Sequence, residues 1–246
     1  MTNTSPYLVT AHNGRSNFFV GGFIPRTMAI AAGNAELKSA FRIAGGMNNG
    51  PEIFPFFRTA LRGMNGSVLM SGGTRCFDDE GKIQASVAEV VADMGLMLPN
   101  LITMGSFPRT ARFGFVGDGR FTVGDGSDVT VNFGTDYIVA IQSGPEDVQA
   151  LGWDGDVDAY IAFMKNLRTE MGFQTGVIVW NGGGVTITET KKAYEDGNTI
   201  FVITDTGRAA DHQLSEANFS GNGIYHISKD NPEKLHSKLR ELHFSN

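Results

Sequence analysis

The feature that most constrains this chain is the recurrence of short apolar runs that end in glycine, threonine or asparagine and are followed by a stretch with helical spacing. In most runs the apolar residues do not alternate with polar ones, as in parallel strands covered by helices on both faces. The pattern therefore predicts an α/β fold with a mainly parallel sheet between two helical layers. The predicted strands are Phe18–Gly21, Ser67–Ser71, Leu101–Met104, Tyr137–Ile141, Gly176–Trp180, Thr199–Thr204 and Gly223–Ile227.

Helical spacing separates or follows several of these runs. An apolar stripe from Ile83 to Met94 predicts one helix, with Gly95 as its C-terminal stop. A second stripe runs from Val157 to Met171 and ends before Gly172. The last helix is predicted over residues 231–243, with Asn231 as its cap and Pro232 in its first turn.

Two regions do not follow the alternation of strand and helix. Residues 22–50 are rich in glycine and asparagine around a predicted short helix, Ala35–Ile43, and we expect them to form a lid or an oligomer contact. Residues 114–136 contain repeated Gly-Asp turns and predict a hairpin excursion from the sheet.

Length and charge limit the classes of partner. We expect the 246 residues to form a single domain, 1–246. The net charge of −6 disfavours binding to nucleic acid or to an anionic membrane. A single cysteine and the lack of an apolar run of about 18 residues predict a cytoplasmic protein without a membrane span. The histidines lack metal-ligand spacing and the GDGSD turn at 124–128 occurs once, so we expect no metal.

The first candidate binding turn consists of Gly72, Gly73, Thr74 and Arg75, directly after the predicted strand Ser67–Ser71. Glycines let a phosphate approach main-chain N–H groups, and a following helix N-terminus adds partial positive charge. Arg75 could add a bidentate contact. The turn lacks the GxGxxG and P-loop patterns, so an ordinary tight connection is the alternative.

The second candidate turn contains three consecutive glycines, Gly182, Gly183 and Gly184, after a buried strand. Such a run provides no packing, so the backbone itself is the expected contact surface. Thr186 could cap the next helix with Glu189 completing a capping box. Alternatively, Glu189 points to the ligand, where it accepts ribose hydroxyls or takes part in acid–base chemistry.

The third candidate turn contains Thr206, Gly207, Arg208 and Asp211 and follows the predicted strand Thr199–Thr204. Arg208 could hold a phosphate, or it could pair with Asp211. All three turns follow strands, and the carboxyl ends of parallel strands share one edge of a sheet. We therefore expect the turns to converge on one crevice that binds a ligand.

These motifs carry a resemblance to a known family. SGGTR, NGGGVTITE and TDTGRAAD, in this order, resemble the SLOG superfamily over about residues 18–228, closest to the domain of melastatin-type TRP channels and its stand-alone bacterial relatives. The resemblance implies a Rossmann-like fold that binds ADP-ribose, NAD-derived signals or related nucleotides. It also favours a homo-oligomer. The implied ligand-facing positions are Gly72, Gly73, Thr74, Gly182, Gly183, Glu189, Thr206, Gly207 and Arg208.

The same superfamily includes phosphoribohydrolases of the lonely guy type, whose PGGxGTxxE signature is similar to the segment from Asn181 to Glu189. Asn181 replaces the proline and Val185 a glycine, and Arg109 and Arg112 are only loose candidates for the paired arginine of that family. Binding or sensing of a nucleotide, without a further cofactor, is thus the leading hypothesis. The alternatives are a hydrolase that uses Glu189 and Arg109, and an assembly domain with a vestigial site.

Overall fold

The computed structural model describes residues 7–10, 17–21, 37–46, 49–72, 76–77, 83–98, 100–108, 113–116, 120–123, 130–131, 135–141 and 153–245. The strands are β1 Tyr7–Thr10, β2 Asn17–Gly21, β3 Ser39–Gly45, β4 Ser67–Gly72, β5 Cys76–Phe77, β6 Ile83–Gln84, β7 Ile102–Pro108, β8 Phe113–Val116, β9 Arg120–Val123, β10 Thr130–Val131, β11 Tyr137–Ile141, β12 Gln174–Trp180, β13 Thr199–Thr204 and β14 Ile224–Ser228. The helices are α1 Ile53–Ala60, α2 Val87–Met97, α3 Trp153–Met171, α4 Gly184–Glu195, α5 Arg208–Asp211 and α6 Pro232–His243.

The main sheet has the strand order β1-β2-β11-β7-β4-β3-β12-β13-β14 across the described residues. The edge strand β1 is antiparallel to β2, and every other neighbouring pair in this sheet is parallel. Residues of β3, β4, β12 and β13 alternate between two apolar clusters, one under α3 and α4 and the other under α1, α2 and α6. The structure is therefore a Rossmann-like three-layer α/β fold with a mainly parallel sheet, as predicted.

The predicted helix Ala35–Ile43 is wrong, because this part of the chain contains the central strand β3. Its segment includes alanine, glutamate, leucine and lysine, which are strong helix formers. In the fold, β3 is hydrogen-bonded to β4 on one side and to β12 on the other, and six of its seven residues are buried. Pairing on both sides and burial in the sheet outweigh the local helical propensity.

The structure confirms two predicted helices and shifts a third. Helix α3 ends at Met171, before Gly172 with a φ of +70°, and α6 has Asn231 as its cap, accepting from the Lys234 N–H at 3.1 Å. Ile83, by contrast, lies in strand β6, and α2 begins after a capping box formed by Ser86 and Glu89. Gly95 does not stop α2, which continues to Met97.

Away from the main sheet, β8, β9 and β10 form an antiparallel three-stranded sheet, which confirms the hairpin excursion predicted over residues 114–136. Residues 22–36 and 47–48, to which the lid or oligomer contact was assigned, lie outside the described residues. Among the helices that the structure describes, none combines the length and apolarity needed to cross a membrane.

Candidate functional site: the crevice between β3 and β12

Strands β3 and β12 are neighbours, and the chain leaves them in opposite directions. After β3 it passes through α1 on one face of the sheet to reach β4, and after β12 it passes through α4 on the other face to reach β13. Such a switch in direction opens a crevice at the carboxyl ends of the two strands, the usual ligand position in open α/β sheets. This crevice is the candidate functional site.

The first wall of the crevice is the turn after β3. A Cβ atom on Gly45 would lie 2.5 Å from the Trp180 carbonyl oxygen of β12, so the two backbones approach too closely for a side chain. Asn49 Nδ2 donates to the Gly46 carbonyl at 2.8 Å, and Asn181 Nδ2 donates to Asn49 Oδ1 at 3.4 Å. The end of β3 is thus joined to the end of β12 by side-chain amides.

The second wall is the glycine turn that leads from β12 into α4. Gly182 has a φ of +97°, and a Cβ there would lie 2.6 Å from Thr186 Cγ2, so only glycine fits. Gly183 is the N-cap of α4 and provides no side-chain acceptor for the N–H groups of the first turn. Thr186 is not the cap; its Oγ1 accepts from the Gly183 N–H at 3.3 Å. The first turn of α4 therefore presents backbone donors to the crevice.

Arg208 places its guanidinium between these two walls. A Cβ on Gly183 would lie 2.8 Å from Nη2 of Arg208, and a Cβ on Gly46 would lie 3.2 Å from Nη1. The two glycines therefore leave the space that the guanidinium occupies. Its positive charge lies beside the N-terminus of α4, so both groups favour an anion at the same position.

The turn after β13 is held in place by its own side chains. Thr206 Oγ1 accepts from the Asn181 N–H at 2.9 Å and donates to the Ile203 carbonyl at 2.7 Å. The two carboxylate oxygens of Asp211 accept from the N–H groups of Asp205, at 2.7 Å, and Gly207, at 2.5 Å. Asp211 thus binds the backbone of its own turn, and its suggested pairing with Arg208 is wrong.

Backbone conformation also marks this edge of the sheet. In the described part of the chain, the non-glycine residues with positive φ are Asn181, Asp205 and Arg208, at +59°, +65° and +51°. This conformation is uncommon for residues with a Cβ, above all for a long side chain such as arginine. Such residues tend to occur together at ligand sites, where the surrounding structure imposes the geometry.

The capping box proposed for Glu189 is wrong as well, because Glu189 pairs with Arg42 beneath the crevice. Arg42 Nε donates to Glu189 Oε1 at 2.6 Å, and the two side chains are only 4% and 6% exposed. Arg42 Nη1 also donates to Ser106 Oγ of β7 at 3.2 Å, and its guanidinium carbon lies 3.6 Å from the centre of the Tyr160 ring. This arrangement joins β3, β7, α3 and α4.

The structure adds the turn after β3 to the predicted crevice. Gly72 ends β4, which lies beside β3. Gly73, Thr74, Arg75, Arg109 and Arg112 lie outside the described residues. The second and third turns meet as predicted: Ala209 N–H donates to the Gly182 carbonyl at 3.3 Å.

Sequence reasoning missed four residues of this region, Arg42, Gly45, Gly46 and Asn49. A signal for them was present, because SAFRIAGG is an apolar run that ends in a glycine pair, the same pattern that marked the other strands. Arg42 within that run was the second clue, because a charged residue between apolar neighbours requires a buried partner.

Comparisons with known proteins support the fold. No protein-family model matches the chain, and no curated protein matches it significantly. A solved structure does match: "X-ray structure of TM1055 Northeast Structural Genomics Consortium target VT76", with a TM-score of 0.51 and 12% sequence identity. The match covers 82% of this chain and 99% of that chain. At this identity the similarity shows a shared fold.

Proposed function

We propose that this protein binds a nucleotide-derived ligand, such as ADP-ribose or a related NAD-derived nucleotide, in the crevice between β3 and β12. The observation that carries the proposal is the guanidinium of Arg208, which lies between Gly46 and Gly183 at the N-terminus of α4. A phosphate at this position would accept hydrogen bonds from the first-turn N–H groups and from Arg208. The choice of ADP-ribose and related nucleotides rests on the resemblance to the SLOG superfamily.

The buried ion pair weighs against the alternative, a phosphoribohydrolase. A general acid or base must reach the proton that it transfers, directly or through one water. Glu189 Oε1 instead accepts from Arg42, and the Glu189 side chain is 6% exposed. In our proposal Glu189 therefore supports the site from below. The ribose hydroxyls would contact polar groups of the turns.

The test is the melting temperature of the purified protein with ADP-ribose, NAD, cyclic ADP-ribose, AMP and orthophosphate, each added separately. A ligand that binds the folded state raises the melting temperature by mass action, so at least one nucleotide should do so. Orthophosphate alone should have a smaller effect because it lacks the base and the ribose. A melting curve that none of the four nucleotides changes would rule out the proposal.

Two variants test where the ligand binds. Arg208→Gln removes a charge-assisted contact and should weaken binding by about 2 kcal/mol, on the order of thirtyfold in Kd. Gly183→Val places a side chain where the guanidinium lies and should have at least as large an effect. Arg62→Gln is the matched control, because Arg62 is half-exposed and pairs with Glu233 of α6. A nucleotide Kd that Arg208→Gln leaves unchanged would place the ligand elsewhere.

A further inference from the structure

The ion pair of Arg42 and Glu189 lies between the sheet and the helical layer formed by α3 and α4. Arg42 shares its face of β3 with Ala40 and Ala44, which belong to the apolar cluster on that side of the sheet. Transfer of two charges from water into such surroundings costs several kcal/mol for each ion. Apolar side chains of similar volume often replace a buried pair without loss of stability. Stability alone therefore does not explain why charges lie here.

The position of the pair provides an explanation. Arg42 comes four residues before Gly46 on β3, and Glu189 comes six residues after Gly183 on α4. At the usual rise per residue, the pair lies about 9–13 Å below the two walls of the crevice. Its two side chains are only 4% and 6% exposed, and the pair joins the two elements whose ends form the walls.

We infer that Arg42 and Glu189 are a positioning pair, which sets the orientation of α4 relative to β3 and thereby the spacing of the crevice walls. The guanidinium is suited to this task because its planar fork binds two elements at once, Glu189 of α4 through Nε and Ser106 of β7 through Nη1. Contact with the Tyr160 ring fixes the plane of the fork from α3. The effect on ligand affinity rests on the proposed nucleotide site, whereas the effect on α4 does not.

The experiment replaces both charges together, as Arg42→Met with Glu189→Met, and measures two quantities. The N–H groups of Gly183 and Ile187 are hydrogen-bonded, to Thr186 Oγ1 and to the Gly183 carbonyl. Hydrogen exchange of these two amides in the ligand-free protein reports whether the start of α4 remains fixed, and we expect exchange at least tenfold faster. Calorimetric titration with ADP-ribose reports the site, and we expect Kd to rise at least tenfold. Melting temperature without ligand separates both effects from global stability.

The matched control is a second ion pair on α4, at its opposite end. Arg168 Nη2 lies 3.0 Å from Asp196 Oδ2 and joins α3 to the C-terminal end of α4, away from the crevice. Arg168→Met with Asp196→Asn should lower the melting temperature but leave exchange at Gly183 and Ile187 and the Kd for ADP-ribose unchanged. If both double variants change these quantities equally, the effect is one of stability and the inference is wrong.

The remaining outcomes of the experiment also test the positioning role of the pair. Wild-type exchange at Gly183 and Ile187 in the methionine pair variant overturns the inference, whatever the ligand does. If the wild-type protein binds none of the nucleotides, the proposed function fails, and the exchange comparison still tests the positioning role. Should the methionine pair variant not fold, Arg42→Lys replaces it, because lysine keeps the charge but lacks the planar fork. Unchanged exchange and Kd in Arg42→Lys would then overturn the inference.

Discussion

Two buried polar clusters each include a residue of β3, and they differ in charge. The crevice cluster consists of Arg42, Glu189, Ser106 and Tyr160, on the face covered by α3 and α4. The C-terminal cluster lies on the opposite face and consists of Ser39, Ser67 and His243, the last residue of α6. Ser39 Oγ lies 2.8 Å from Ser67 Oγ and 2.7 Å from His243 Nδ1.

The difference shows what each cluster contributes. Burial lowers the pKa of His243, and the neighbouring charges of Lys38 and Arg240 lower it further, so the C-terminal cluster is composed of neutral groups. Neutral hydrogen bonds of this kind hold the end of α6 against β3 and β4 without a charge in the interior. The crevice cluster instead places a full ion pair under the candidate site, where orientation matters more than stability alone.

The largest expected effect is that of Arg42→Met alone. Glu189 then remains buried without its ion-pair partner, and we expect the free energy of unfolding to fall by about 3–5 kcal/mol. Urea denaturation measures this loss. Addition of Glu189→Met should restore most of the lost stability because it removes the isolated charge. An equal loss in the single and double variants would contradict the view that the unpaired charge is responsible.

A smaller effect is expected in the C-terminal cluster. His243→Ala removes a buried hydrogen bond and some packing, and should lower the free energy of unfolding by about 2 kcal/mol. Ser39 and Ser67 still bind each other, and the crevice lies at the other end of β3, so the Kd for ADP-ribose should not change. His212→Ala, at an exposed histidine, is the control and should stay within about 0.5 kcal/mol of wild type. A weaker nucleotide affinity in His243→Ala would show that the two clusters are coupled.

The smallest expected effect is on the pH dependence of stability, and it tests whether the C-terminal cluster is composed of neutral groups. Since the pKa of His243 is lower in the folded protein than its ordinary value, only the unfolded chain takes up a proton as the pH falls below about 6.5. The contribution of His243 to stability is therefore complete above that pH and is lost as the pH falls through the lowered pKa. His243→Gln should show a shallower decline than wild type in urea denaturation between pH 7 and 5. Identical slopes would mean that His243 does not titrate as described.

Much of the fold could be predicted from local patterns. The strand Thr199–Thr204, the end of α3 at Met171 and the cap of α6 at Asn231 each depend on residues close together in the chain. The second and third glycine turns were also found locally, because a strand followed by glycines and polar residues is visible in a short window. These features can be predicted from a short segment because they follow from backbone geometry and capping.

Two features were predicted wrongly, and both involve β3. Its segment carries helix-forming residues as well as the apolar run before a glycine pair that marks a strand, and pairing with β4 and β12 makes it the central strand. That error also hid the turn after β3, so Gly45, Gly46 and Asn49 were missed as part of the candidate crevice. Glu189 was assigned to a capping box for a similar reason: its partner Arg42 is 147 residues away in the chain.

By itself, then, the sequence determined the alternation of strand and helix, the glycine turns and the polar side chains that could meet a nucleotide. The tertiary structure alone decided which strands adjoin, that Arg208 lies between Gly46 and Gly183, and that Glu189 faces Arg42. The physical reason is the distance along the chain over which each kind of interaction acts. Backbone preferences and caps act over a few residues, whereas strand order and buried charge pairing depend on how distant segments pack together.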